Sequence, residues 1–128
     1  AAIYDHEHEH IVARAGNNVR SLNDPTAHAE ILVIREACKK IGQSRLAFFS
    51  LYVTLEPCPM CCQAISFARL PKLVFGAYDT KGGGVEHGPK IFESSSCHHK
   101  PEIHTGMMSE ESSELLKNFF KNKRKSNG

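Results

Sequence analysis

Two short runs carry the residues best suited to chemistry. His28-Ala29-Glu30 sets an imidazole and a carboxylate two positions apart, and Pro57-Cys58-Pro59-Met60-Cys61 sets two thiols three positions apart, straight after an apolar, β-branched segment. One neutral imidazole and two thiolates are three ligands for tetrahedral zinc and leave a fourth position for water, the open arrangement of a catalytic site. A closed structural site needs a fourth protein ligand. Cys62 is the nearest thiol, but adjacent helical residues point about 100° apart, so it does not easily share the metal of Cys61. A redox pair also uses C-x-x-C spacing, yet has no need of a separate imidazole.

The chemistry such a site performs follows from the ligand count. Lowering the pKa of water from about 15.7 to about 7 makes hydroxide roughly 12 kcal/mol easier to form, at about 1.36 kcal/mol per unit. Glu30 is too close in sequence to His28 to be a convenient second ligand. It is well placed to take the water's proton and hand it on as a general acid. A helix start at Cys58 and Cys61 is expected to lower the thiol pKa values, because free backbone N–H groups and the positive dipole end favour thiolate.

The surrounding elements must bring these two runs together. Residues 1–4 and 11–15 flank the polar DHEHEH segment and read as a hairpin. Asp24 is a plausible N-cap with Pro25 at the first helical position, and Ile31, Ile34, Cys38 and Ile41 then recur at helical spacing until Gly42. LYVTLE from Leu51 and KLVFGA from Lys72 read as buried strands, with Cys61, Ile65 and Ala68 on one face of a helix between them. Strand, helix, strand predicts parallel pairing through a crossover. Residues 80–97, with GGG and SSS, read as a long loop, and residues 101–105 as a short edge strand. Ser109 caps a last predicted helix, whose stripe is Leu115, Leu116, Phe119 and Phe120 and whose end is KNKRK.

Composition narrows the class. A chain of 128 residues, 41% hydrophobic, holds one domain's core. With Lys plus Arg at 16 against 14 for Asp plus Glu, the charge balance announces no nucleic-acid partner, so any basic surface is local. No apolar run reaches bilayer length and no signal peptide is recognisable. The five cysteines, two of them adjacent, fit a reduced, cytoplasmic protein better than a disulfide framework. Cys38, on the apolar stripe, reads as a buried small hydrophobe.

PTAHAE together with TLEPCPMC resembles the zinc-dependent nucleoside deaminase superfamily. DPTAHAEI, LYVTLEPCPMC, VFGAYD and the ending LLKNFFKNKRK, in that order, resemble the bacterial tRNA-specific adenosine deaminase family. The resemblance implies an α/β, three-layer α-β-α cytidine-deaminase-like fold, with a central mixed sheet, N-terminal hairpin strands and helices on both faces. One deaminase domain spans residues 1–128 on this reading, without the family's usual first helix. It also implies one zinc per chain on His28, Cys58 and Cys61, proton transfer by Glu30 and a base contact by Asn17. The activity implied is hydrolytic deamination of adenosine to inosine at the wobble position of a tRNA anticodon loop, by a homodimer.

Other readings stand beside these. Related families share H-A-E and P-C-x-x-C, so a free base of guanine or cytosine type is an alternative substrate, and a silent zinc-stabilised RNA-binding subunit is another. Glu30 argues against the silent subunit. Phe120, Lys121, Lys123, Arg124 and Lys125 form a basic, aromatic helix end suited to RNA, or simply a solvated terminus. Asn17 also fits a loop residue bonding its own backbone. His6, His8 and His10 fit a solvated turn better than a metal tract, and His87, His98, His99 and His104 have no assigned role.

Overall fold

The computed structural model describes residues 1–105 of the chain. They form β1 (Ala2–Asp5), β2 (His10–Arg14), α1 (Ala29–Ile41), β3 (Phe49–Leu55), α2 (Pro59–Phe67), β4 (Lys72–Ala77), a 3-10 turn (Ile91–Glu93) and β5 (Glu102–Thr105). The helix expected from Ser109, with its basic end, lies outside the described residues.

One mixed sheet organises them, in the order β2-β1-β3-β4-β5. The hairpin β1-β2 is antiparallel, and β1 also runs antiparallel to β3. Strands β3, β4 and β5 are mutually parallel in that order, with Leu51 opposite Leu73 and Val53 opposite Phe75. The predicted crossover through α2 is therefore present, and β5 is the predicted edge strand.

Ile3, Leu51, Val53, Leu73 and Phe75 point to the face where Val33 and Ala37 of α1 and Cys62 and Ile65 of α2 pack. Each large apolar side chain removed from water there contributes about 1.5–3 kcal/mol. Tyr4, Tyr52 and Val74 cluster apart from that core, and among the described residues no helix joins them. The central strands read as continuous apolar runs because both faces are buried, as parallel strands require.

Helix α1 begins later than Asp24 and Pro25 predict. Asp24 Oδ1 accepts the Thr26 N–H at 2.8 Å and the Thr26 hydroxyl at 2.7 Å, which closes a side-chain turn instead of capping a helix. His28 becomes the N-cap. The expected end holds: Gly42 sits at φ 73°, a left-handed conformation that favours glycine, and its N–H reaches Cys38 O. The buried stripe is also shifted. Val33 and Ala37 are fully buried, whereas Ile34, Cys38 and Ile41 are half-buried and pack against the core from its edge.

Candidate active site

The two helices deliver their first residues to one place. His28 and Cys58 are the N-cap residues of α1 and α2, both in extended geometry, and neither makes a side-chain cap hydrogen bond. That position ordinarily selects Ser, Thr, Asp or Asn, whose side chains bond the helix's free N–H groups. Here imidazole and thiol are left available to each other. Pro59 follows at the first turn of α2, where its missing N–H costs nothing.

His28 Nδ1 lies 3.6 Å from Cys58 Sγ and 3.5 Å from Cys61 Sγ. All three donor atoms lie within 4.8 Å of one another. Zinc bonds of about 2.3 Å to sulfur and 2.0–2.1 Å to nitrogen, at a tetrahedral angle, require a nitrogen-to-sulfur edge of roughly 3.6 Å. The donor set therefore fits a tetrahedral metal in both chemistry and spacing. Among the described residues, no fourth His, Cys, Asp or Glu joins the set at that separation. Cys62 is turned away, its thiol donating to Pro57 O at 3.5 Å.

The expectation of lowered thiol pKa values fails at Cys61. Burial pushes this thiol well above its ordinary value, and the negative groups of Glu30 and Cys58 push it further. A helix dipole contributes about 0.3–1 kcal/mol, less than one pKa unit, whereas burial shifts a group by several. A thiolate at this fully buried position thus needs a cation beside it, which a bound metal supplies. Cys62 is pushed up to about 12, chiefly by burial.

A cavity of about 360 Å³ opens beside the cluster, lined among others by Asn17, His28, Glu30, Leu55, Cys58 and Asp79. Its size suits a nucleobase-sized ligand. Glu30 sits in the first turn of α1 and lines the same cavity as His28 and Cys58. Asn17 lines the cavity while its Oδ1 accepts the Val19 N–H at 3.0 Å. The carbonyl braces the loop, as the local reading of Asn17 expects, and the residue also lines the cavity.

The remaining histidines separate by their partners. His87 Nδ1 meets Glu56 Oε1 at 2.8 Å and His99 Nε2 meets Leu70 O at 2.6 Å, so both tie loops to the scaffold. Residues 6–9 form an exposed turn, in which Asp5 accepts the Glu7 and His8 N–H groups and meets His8 Nδ1, and His10 opens β2. The sequence reading did not single out Glu56 or Asp79 at the cavity wall. A carboxylate wedged between an apolar strand and Pro57-Cys58 was a signal for the first; nothing local marked the second.

The MafB19-like deaminase family matches residues 1–124. A tRNA-specific adenosine deaminase of Agrobacterium fabrum is 55% identical over 114 residues, 89% of this chain and 75% of its own. The chain belongs to the tRNA-specific adenosine deaminase family. A solved structure from studies of A-to-I editing by tRNA:A34 deaminases at the wobble position of transfer RNA matches with a TM-score of 0.79 at 52% identity. That match covers 82% of this chain and 79% of the other. A guanine deaminase structure from Bacillus subtilis is more distant, with a TM-score of 0.60 at 32% identity over 90% of this chain and 74% of the other. The cytidine-deaminase-like α/β fold expected from the sequence is thus the fold of this family.

Proposed function

We propose that this protein converts adenosine to inosine in tRNA by hydrolysis, at the wobble position of the anticodon, with zinc on His28, Cys58 and Cys61. The observation that carries the reading is the clustering of these donors beside one cavity of nucleobase size, lined by His28, Cys58, Glu30 and Asn17. Membership of the adenosine-specific family supports tRNA over a free base.

Zinc, when bound, supplies a nucleophilic oxygen near neutral pH by making water more acidic. Glu30 takes the proton released from water and returns it to the departing amine, so that a C–O bond forms at C6, the C6–N bond breaks and ammonia leaves. Asn17 holds the base, its amide N–H₂ available while Oδ1 is engaged with Val19. The apolar walls of Val53 and Leu55 favour the base over water.

A stacked adenine hides C6, so the target base must leave its stack to enter the cavity. Phosphate and stacking contacts offset that cost. We assign them to Phe120, Lys121, Lys123, Arg124 and Lys125, outside the described residues. Residues 1–128 act as a single deaminase domain in this reading, in the cytoplasm. Among the described residues no helix is long and apolar enough to cross a membrane.

A homodimer completes the proposal. A shallow groove between α1 and α2, lined by Ile31, Ile34, Ala64, Phe67 and Ala68, is largely apolar, and Phe67 is 72% exposed. A second copy is the partner proposed for it.

The test is incubation of the zinc-loaded protein with an anticodon stem-loop bearing a wobble adenosine, and separately with free guanine and cytosine. Inosine in the stem-loop, read by mass, is expected. Deamination of a free base alone would transfer the reading to the free-base deaminases.

A further inference from the structure

The GGG run and the buried carboxylate before Pro57 have no part in the chemistry above, yet they meet in space. Glu56 is 3% exposed. Its Oε2 accepts the backbone N–H groups of Val85, Glu86 and His87, and its Oε1 accepts the Asp79 N–H and meets His87 Nδ1 at 2.8 Å. A buried carboxylate surrounded by donors at this density is strongly held, because charge-assisted hydrogen bonds are about twice as strong as neutral ones.

The glycines make this approach possible. A Cβ on Gly83 would come within contact of Glu56 Oε2 and Asp79 O, and one on Gly84 would lie 2.7 Å from Pro59 N. The loop is thereby pressed onto the corner that carries Cys58: Gly84 N–H reaches Pro57 O at 2.8 Å, and Ile91 N–H reaches Gly84 O at 2.8 Å. Glu56 and Asp79 both line the cavity. Asp79 in turn caps the Lys81 and Gly82 N–H groups with Oδ1.

We propose that Glu56 is a positioning residue for substrate, anchoring the 79–87 loop so that its Asp79 end forms a fixed wall of the nucleobase cavity. The inference rests on the proposed function for the identity of what the cavity admits. The anchor itself stands on the hydrogen bonds alone. A wall that is already ordered needs no ordering when substrate binds, so its loss weakens binding before it slows chemistry.

Glu56→Gln keeps the shape but presents an N–H₂ group to N–H donors. Hydrogen exchange in the zinc-loaded variant is expected to quicken at residues 79 and 85–87 by about tenfold or more, with strands β3 and β4 still protected. With the stem-loop substrate, KM is expected to rise about tenfold and kcat to stay within about threefold, at unchanged zinc content. Gly83→Ala, which forces a Cβ onto the same oxygen, should reproduce both effects. A kcat loss at unchanged KM, loss of zinc, or unchanged exchange in the loop would overturn the proposal. Absence of inosine formation by the unsubstituted protein would instead count against the proposed function, and the exchange result would still decide the anchor.

Discussion

His28 Nδ1 lies 3.5 Å from the sulfur of Cys61, 33 positions further along the chain and on a different helix. The sheet and the packing of α1 beside α2 bring the two helix starts together, so the pair is a tertiary feature that folding must create. Metal binding and folding are consequently linked. Zinc at about 100 times its Kd should stabilise the native state by about 2.7 kcal/mol. Chelation should lower Tm, and Cys61→Ser should abolish most of that difference. A Tm indifferent to chelator in protein shown to contain zinc would contradict the assignment.

Glu30→Gln separates the metal from the proton. The amide cannot accept and return a proton, so turnover should fall by the roughly 10²–10⁴-fold that a positioned acid–base group supplies. Zinc content, read by elemental analysis, should be unchanged. Near-normal turnover removes Glu30 from the mechanism.

Asn17 braces its loop and, in the proposed function, holds the base, and one substitution can divide the two roles. Asn17→Asp preserves the Oδ1 acceptor for the Val19 N–H but removes the amide donor offered to the base. Stability should change by less than about 0.5 kcal/mol, as for a surface substitution, while turnover on the stem-loop drops by about tenfold or more, the worth of one hydrogen bond to the base. Equal turnover in the two proteins would leave Asn17 with only its loop role.

The hairpin turn should respond to pH through Asp5 and His8. The hydrogen bond to Asp5 is the largest cause raising the His8 pKa above 6.5. For Asp5, burial works upward, but the hydrogen bonds from His8 and Glu7 hold it below 3.8. A raised histidine contributes stability that is present below 6.5 and lost as pH rises through its folded value. A lowered carboxylate contributes stability that is present above 3.8 and lost as pH falls through its folded value. The Tm difference between the unsubstituted protein and His8→Ala should therefore be larger near pH 5 than near pH 8, because the contribution of His8 falls as the imidazole loses its proton with rising pH. A difference that grows with pH would reverse this account.

The groove between α1 and α2 gives an assembly test. Phe67→Glu places a charge on its most exposed ring and should weaken self-association by about tenfold or more, measured by sedimentation. An unaltered dimer would place the interface elsewhere.

The sequence reading succeeded where local signals and tertiary packing agreed. The C-x-x-C spacing and the β-branched run before it announced a strand ending at a helix start, and Gly42 announced a helix end. Asp24 misled because its side chain had a nearer partner in Thr26 than the free N–H groups of α1. The thiol pKa at Cys61 misled because burial is decided by the sheet and by α1, not by the residue's place in its own helix. Asp79 and Glu56 share a wall only because β3 and β4 run parallel, and Glu56 lies 23 positions before its partner.

The most direct test of the account is metal-dependent formation of inosine. Protein stripped of metal, then restored with zinc, is incubated with a stem-loop bearing a wobble adenosine in water enriched in oxygen-18, and the nucleosides are read by mass. The account predicts no product without metal, inosine after zinc is restored, and one solvent oxygen in each inosine, since the new C6 oxygen comes from water. Inosine formed at full rate by the metal-free protein, or none from zinc-loaded protein that deaminates free guanine, would contradict it.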